Sequence, residues 1–142
     1  MLVSTLSYKM MSTPATHPET GIICLVDDEL PNLKALVRLL RAVELEAVPF
    51  ESPWLFLEYV KDHSVSLAII DLRMPELSGL ELQRALYDIC PEVPVIIVTG
   101  EREPGIDREI ALDQGATGFL FKPLEVTELL KTIRRVFPTP SS

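Results

Sequence analysis

Residues 67–71 have the sequence LAIID, in which four apolar residues, Leu67–Ile70, are followed by an aspartate. A second apolar run, Val93–Val98, stops in the same way at Thr99. Short continuous apolar runs are typical of parallel strands buried on both faces, because neither set of side chains faces water. We therefore predict two inner strands of a parallel sheet, each stopping at a polar residue.

Other apolar runs predict three further strands. They are Ile22–Val26, a weaker segment near Ala47–Phe50, and Gly118–Phe121. Amphipathic stretches lie between the strands, and this alternation predicts five βα units whose helices cover both faces of the sheet. The predicted fold class is therefore α/β, with a doubly wound parallel sheet.

Capping residues mark several helix boundaries. Ser52 precedes Pro53 as an N-cap does, and Ser78 and Glu81 have the spacing of a capping box. Gly115 predicts the end of the fourth helix. The predicted helices are Pro31–Val43, Trp54–Lys61, a third with the inner stripe Leu82, Ala85, Leu86 and Ile89, a fourth at Ile106–Gln114, and a fifth with the inner face Val126, Leu129, Leu130, Ile133 and Phe137.

Composition and length predict one globular domain. The 142 residues are 47% hydrophobic and 24% charged, which suits a single core of ordinary size. We expect this domain at residues 21–137, between flexible tails at 1–20 and 138–142 that are rich in Ser, Thr and Pro. The formal net charge of −8 repels phosphate backbones, so direct nucleic-acid binding is not expected. Neither a secretory signal nor an apolar run near the roughly 20 residues of a membrane span is present, which predicts a cytoplasmic protein.

Cysteine and aromatic residues are interpreted as packing residues. Cys24 and Cys90 are too few and too far apart for a disulfide framework or a metal knuckle. Trp54, Phe56 and Tyr59 lie on the second predicted helix, and large aromatic side chains are generally buried. We assign none of these five residues a function.

Polar residues follow four of the predicted strands. They are Asp27-Asp28, Asp71, Thr99 and Lys122-Pro123. Because ligands of doubly wound sheets bind at the carboxyl ends of the strands, we expect these residues to converge. Taken singly, each aspartate could cap a helix, Thr99 could simply end a strand and Lys122 could be a surface lysine. Their joint placement favours a site.

The residue types at these strand ends favour phosphoryl chemistry. Three carboxylates would repel one another unless a divalent cation neutralised them, and oxygen ligands favour Mg²⁺, with Mn²⁺ as a substitute, over Zn²⁺. A lysine and a threonine hydroxyl would stabilise the oxygens of a phosphoryl group. The carboxylate of Asp71 could then act as a nucleophile.

Four segments resemble the receiver domains of two-component response regulators. They are VDDE at 26–29, DLRMPELSG at 71–79, VTG at 98–100 and FKPL at 121–124. The resemblance covers about residues 20–137. It implies a flavodoxin-like sheet of five parallel strands in the order 2-1-3-4-5.

The same resemblance implies a role for each site residue. Asp71 is the phosphoacceptor, and Asp27, Asp28, Asp71 and the backbone carbonyl of Arg73 are the metal ligands. Lys122 and Thr99 bind the phosphoryl group, Thr99 and Phe119 form a switch, and the Lys122-Pro123 peptide bond is cis. Glu101, two residues after Thr99, is expected to influence the approach of the donor.

The resemblance also implies partners. A histidine kinase or a phosphotransfer protein would phosphorylate Asp71, and the face formed by the fourth helix, fifth strand and fifth helix would control a partner protein or an output domain outside these residues. The domain would be a signalling phosphoacceptor that assists its own phosphorylation and dephosphorylation, not an enzyme. A salt-bridged homodimer through the last helix, linked to phosphorylation, is a further hypothesis.

Two alternative functions compete with this interpretation. One is a docking module that keeps the receiver fold but acts without phosphorylation. The other is an aspartate-nucleophile phosphohydrolase of the haloacid dehalogenase type, which also uses Asp, Lys, Thr and Mg²⁺. Such enzymes need a second acid two residues after the nucleophile, where this chain has Arg73, so this alternative is disfavoured.

Overall fold

The computed structural model describes residues 21–101 and 105–137. The tails predicted at residues 1–20 and 138–142 lie outside these ranges. The five strands are β1 (Ile22–Val26), β2 (Glu46–Phe50), β3 (Leu67–Asp71), β4 (Val95–Thr99) and β5 (Gly118–Phe121). The five helices are α1 (Leu30–Ala42), α2 (Pro53–Asp62), α3 (Gly79–Ile89), α4 (Ile106–Asp113) and α5 (Val126–Val136).

The five strands form one parallel sheet in the order β2-β1-β3-β4-β5, which confirms the predicted flavodoxin-like topology. β2 is an edge strand and contains Pro49, a residue that lacks an N–H group, which is why its sequence pattern was the weakest. β3 pairs with β1 on one side and with β4 on the other. The carboxyl ends of β1, β3 and β4 therefore lie side by side.

Alternate residues of each inner strand fill two separate cores. On one face, Cys24 and Ile70 pack with apolar residues of α2, α3 and α4. On the other face, Ile23 and Ile69 pack with residues of α1 and α5. Both faces of the sheet are thus covered, as the continuous apolar runs predict. No helix within the described ranges has both the length and the apolar character that a membrane span requires.

The predicted helix caps are present. The Ser52 hydroxyl accepts hydrogen bonds from the N–H groups of Trp54 and Leu55 at the start of α2. Ser78 Oγ accepts from the Glu81 N–H at 3.2 Å, and the Glu81 carboxylate accepts from the Ser78 N–H at 3.0 Å. These local bonds satisfy N–H groups that have no partner within the helix, so each helix begins within a residue of its predicted start.

Replacing the capping hydroxyl of α3 should have a measurable cost. We expect Ser78→Ala to lower the free energy of unfolding by about 1 kcal/mol, because the Glu81 N–H loses its acceptor. Urea denaturation followed by circular dichroism measures this change. Ser64→Ala is the matched control, since Ser64 is an exposed loop residue. Equal stability of the two variants would show that the capping box contributes nothing.

Three apolar side chains expected to face inward are exposed instead. Trp54, Ile89 and Val126 are 51%, 38% and 45% exposed, so the core interpretation of Trp54 is wrong. Each lies at or next to the end of its helix, beyond the cover of the sheet and the neighbouring helices. By contrast, Gln83 and Thr132 are buried, because their polar atoms bond to the carbonyls of Ala111 and Glu128, respectively.

Both cysteines are packing residues, as expected. Cys24 is buried in β1, and burial raises the pKa of its thiol to about 12. Cys90 is half-buried, with Sγ 3.8 Å from the carbonyl oxygen of Val60. A thiol with a raised pKa carries almost no thiolate near neutral pH, so Cys24 is not a nucleophile.

Candidate functional site

Three carboxylates converge at the carboxyl edge of the sheet. Asp27 and Asp28 follow β1, and Asp71 is the last residue of β3. One carboxylate oxygen from each lies within 4.8 Å of the others. Asp27 and Asp71 are buried and Asp28 is exposed, so the cluster opens to solvent on one side. The parallel pairing of β1 with β3 produces this convergence.

Lys122 bridges two of these carboxylates. Its Nζ lies 3.0 Å from Asp27 Oδ2 and 3.1 Å from Asp71 Oδ1. The Lys122 N–H donates to the Thr99 carbonyl at 2.8 Å, which holds the backbone of Lys122 beside the end of β4. The Lys122-Pro123 peptide bond is cis, as the resemblance implies. An ammonium group therefore stands beside the carboxylate proposed to be the nucleophile.

The charges of the site are unbalanced. Burial, followed by the charge of Asp27, raises the pKa of Asp71 from 3.8 to about 6, although Lys122 opposes the change. For Lys122, burial lowers the pKa, but the hydrogen bonds and charges of Asp27 and Asp71 together outweigh it and raise the net value. Three carboxylates against one ammonium leave an excess of negative charge.

Thr99 and Phe119 lie inside the molecule. Thr99 is fully buried at the end of β4, and its Oγ1 accepts a hydrogen bond from the Glu101 N–H at 3.1 Å. This bond uses a lone pair, so the hydroxyl proton can still be donated to another acceptor. The Phe119 side chain is buried in the core that Cys24 lines, with its ring centroid 5.7 Å from that of Phe121.

The loop after β3 requires glycine at one position that the sequence interpretation did not single out. The Gly79 N–H donates to the Leu72 carbonyl at 2.8 Å and closes the loop. A Cβ at Gly79 would lie 2.6 Å from the Asp71 carbonyl oxygen and 2.9 Å from Leu72 Cα. A glycine directly after the Ser78 N-cap was the available signal.

Arg73 forms an ionic network that the sequence did not predict. Its Nε and Nη2 each lie 3.0 Å from a carboxylate oxygen of Glu101, and Nη2 lies 2.6 Å from Asp107 Oδ2. The hydrogen bond from Arg73 lowers the pKa of Glu101. We call these three residues the Arg73 clamp.

A cavity of about 620 Å³ opens beside Asp71 and Lys122. The α1 side chains Leu36 and Leu39 and the residue Leu124 after β5 give it a largely apolar wall. The polar site is thus continuous with an apolar surface at its edge.

A family model described as the response regulator receiver domain matches residues 23–134. The chain belongs to this family of two-component systems. Its receiver domain is a signalling module, and the sequence resemblance noted above is confirmed.

Relatives of this receiver domain include a protein named as a response regulator and one named as a transcriptional regulatory protein. The response regulator protein TodT of Pseudomonas putida is 35% identical over 114 residues, which are 80% of this chain and 50% of TodT. The transcriptional regulatory protein FixJ of Rhizobium meliloti is 35% identical over 111 residues, 78% of this chain and 54% of FixJ. The chain therefore spans about half the length of these curated relatives.

Solved structures agree with the topology of the receiver domain. The crystal structure of FixJ-N superimposes with a TM-score of 0.76 and 31% identity, covering 85% of this chain and 96% of that one. Vibrio cholerae chemotaxis protein CheY4 gives a TM-score of 0.74 and 26% identity, over 81% and 97% of the two chains.

The acidic cluster has the donor set of a hard divalent cation. Asp27, Asp28 and Asp71 offer only oxygen ligands, and one face of the cluster is open to water. Mg²⁺ prefers carboxylates together with retained waters, whereas Zn²⁺ prefers His and Cys. The residues present therefore fit the cation that binds receiver domains.

Proposed function

We propose that this receiver domain accepts a phosphoryl group on Asp71 in a two-component phosphorelay. The observation that carries the proposal is the position of Lys122 Nζ, which contacts both Asp71 and the neighbouring Asp27 at the mouth of an acidic cluster. An ammonium in this position pairs with the carboxylate before the transfer and with the phosphoryl oxygens after it. A purely structural ion pair would not need the third carboxylate, that of Asp28.

Mg²⁺, or Mn²⁺ in its place, would be held by Asp27, Asp28, Asp71 and the backbone carbonyl of Arg73. A bound cation would neutralise the carboxylates and polarise the oxygens of the phosphoryl group. The excess negative charge of the cluster and the raised pKa of Asp71 support this assignment, because a bound cation would offset that charge and lower the pKa of Asp71.

The chemistry proposed for the chain's own residues is one displacement. A carboxylate oxygen of Asp71 attacks the phosphorus of a phosphohistidine, a P–O bond forms and the P–N bond breaks. The leaving imidazole keeps the electron pair of that bond and takes up a proton. Lys122 remains an ammonium throughout, since its pKa is raised, and pairs with the phosphoryl oxygens, to which Thr99 donates its hydroxyl proton.

The expected output surface is the face formed by α4, β5 and α5. It exposes the apolar side chains of Ile106, Phe121 and Val126, which are 66%, 43% and 45% exposed. Movement of the Thr99 hydroxyl toward the phosphoryl group, with repacking of Phe119, would change this face. Apolar groups on a polar surface suit a protein partner or an output domain.

The expected partners follow from this role. A sensor histidine kinase or a phosphotransfer protein would be the donor, in the cytoplasm. A homodimer linked to phosphorylation would use the outward charges of α5, where Glu128, Lys131 and Arg135 are exposed. The formal net charge of −8 continues to disfavour direct contact with nucleic acid.

The test is the intact mass of the full chain after incubation with Mg²⁺ and a small-molecule phosphodonor. We expect a single labile phosphoryl adduct on the unmodified protein, and none with Asp71→Asn or with a chelator, because the nucleophile or the cation is then missing. Asp62→Asn is the matched control: it removes one exposed carboxylate distant from the site and should keep the adduct.

Three results would contradict the proposal. Absence of any adduct in folded protein with bound Mg²⁺ would favour a docking module that acts without phosphorylation. Steady release of phosphate from added phosphoesters would favour a phosphohydrolase. An adduct that persists in Asp71→Asn would place the acceptor elsewhere.

A further inference from the structure

We propose that Arg73 is a positioning residue that couples the state of the Asp71 site to helix α4 through the Arg73 clamp. This inference rests on the proposed function, because the coupling concerns occupancy of that site. The guanidinium of Arg73 holds Glu101 with two bonds and Asp107 with a third. One side chain therefore joins the loop after β3 to the first turn of α4.

The start of α4 has few other supports among the described residues. Its N-cap is Gly105, with φ 61° and no side-chain cap. Asp107 is in the first turn, where its charge also suits the helix dipole. The Arg73–Asp107 bond therefore tethers the first turn of α4 to the loop after β3, whereas α2 and α3 begin at serine caps.

The opposite end of α4 is held in a different way. Gln83 is buried on α3 and donates to the Ala111 carbonyl at 3.0 Å. Gln114, the residue after α4, donates to the Gln83 side-chain oxygen at 2.8 Å and to the Leu80 carbonyl at 3.3 Å. These hydrogen bonds from glutamine side-chain amides are buried or partly buried, and neither partner is charged. The C-terminal end of α4 is thus anchored to α3, and its N-terminal end is free to shift when the state of the Asp71 site changes.

The charged end is suited to adjustment. The side chains of Arg73, Glu101 and Asp107 are 55%, 42% and 19% exposed, so the pair with Glu101 is the more exposed of the two. Exposed ion pairs contribute little free energy and are weakened by salt, so small changes in geometry or local charge can shift them. The hydrogen bonds of Gln83 and Gln114 would resist the same changes, because breaking them would leave buried polar groups without a hydrogen-bond partner.

Two links, one along the chain and one through a hydrogen bond, connect the clamp to the proposed chemistry. Arg73 lies two residues after Asp71, and the intervening Leu72 is fully buried, with its N–H bonded to the Val98 carbonyl at 2.7 Å. Glu101 donates its own N–H to Thr99 Oγ1 while its carboxylate binds Arg73. A displacement of the Thr99 hydroxyl would remove the acceptor of Glu101 and alter its hold on Arg73.

Amide hydrogen exchange in a peptide covering residues 105–113 tests the clamp in the full chain without any ligand. We expect Asp107→Asn to speed exchange of the hydrogen-bonded amides of α4 by about two- to five-fold, the change produced by losing a partly exposed ion pair. Glu109→Gln is the matched control, because it removes a charge from the same first turn but makes no contact with Arg73. Equal exchange in the two variants would overturn the proposal.

The coupling is tested by adding Mg²⁺ alone to the same proteins. We expect Mg²⁺ to change exchange in this peptide for the unmodified chain and for Glu109→Gln, and to have little effect for Asp107→Asn. An unchanged response in Asp107→Asn, or no response in the unmodified chain, would overturn the coupling. Failure of Asp71 phosphorylation with these exchange differences intact would reject the proposed function and leave the clamp established.

Discussion

The Asp71→Asn variant is expected to be more stable than the unmodified protein at pH 7 in the absence of divalent cations. Burial and the charge of Asp27 raise the pKa of Asp71 from 3.8 to about 6, so its ionised form is disfavoured in the folded state. Removing the charge should raise the free energy of unfolding by about 3 kcal/mol. Urea denaturation with a chelator present measures this difference.

The pH dependence gives the sign of this effect. The folded state holds the Asp71 proton more tightly than the unfolded state, so the contribution of Asp71 to stability falls as pH rises between about 4 and 6. Below about pH 3 the carboxyl is mostly protonated in both states, and the advantage of Asp71→Asn should disappear. Asp62→Asn is the matched control at pH 7, because it removes an exposed carboxylate outside the cluster.

Addition of Mg²⁺ should remove most of the stability advantage of Asp71→Asn. A ligand that binds only the folded state at 100 times its dissociation constant stabilises by about 2.7 kcal/mol, and Asp71→Asn would bind Mg²⁺ more weakly. A variant less stable than the unmodified chain at pH 7 without cations would contradict the electrostatic explanation. Such a result would show that the ion pair between Lys122 and Asp71 stabilises the folded state by more than the burial and repulsion of the Asp71 charge destabilise it.

The second large effect is expected for Gly79→Ala. Its Cβ would approach the Asp71 carbonyl oxygen to 2.6 Å and Leu72 Cα to 2.9 Å, and both are backbone atoms that cannot move independently. We expect the free energy of unfolding to fall by about 1 to 3 kcal/mol, the usual cost of inserting a methyl group into a packed region. The gain in helix propensity, up to about 1 kcal/mol, offsets only part of this cost.

The same substitution should weaken Mg²⁺ binding. Relief of the clash must shift the backbone of Asp71 and Leu72, which lies directly before the Arg73 carbonyl proposed as a ligand. Isothermal titration calorimetry measures the affinity, and denaturation measures the stability. Gly100→Ala is the matched control, because a Cβ there would have no heavy atom within 4 Å. Equal stability and equal Mg²⁺ affinity of the two variants would show that the structure accommodates a methyl group at Gly79 without loss of free energy.

Much of the fold was predictable because its signals are local. Continuous apolar runs located the inner strands, and serines with the right spacing located the starts of α2 and α3. The predictions failed at helix ends, where Trp54, Ile89 and Val126 follow an apolar pattern but extend beyond the surfaces that would bury them. Periodicity specifies the direction of a side chain, and the neighbouring elements decide whether anything covers it.

The sequence by itself determined which residues stand at the carboxyl ends of the strands, because a parallel sheet brings those ends to one edge. It therefore predicted that Asp27, Asp71 and Lys122 would meet. Only the tertiary structure decided the Arg73 clamp, whose members are 28 and 34 residues apart, the close contact at Gly79, and the raised pKa of Asp71. These depend on distances between separate segments, and no local pattern of residues encodes such distances.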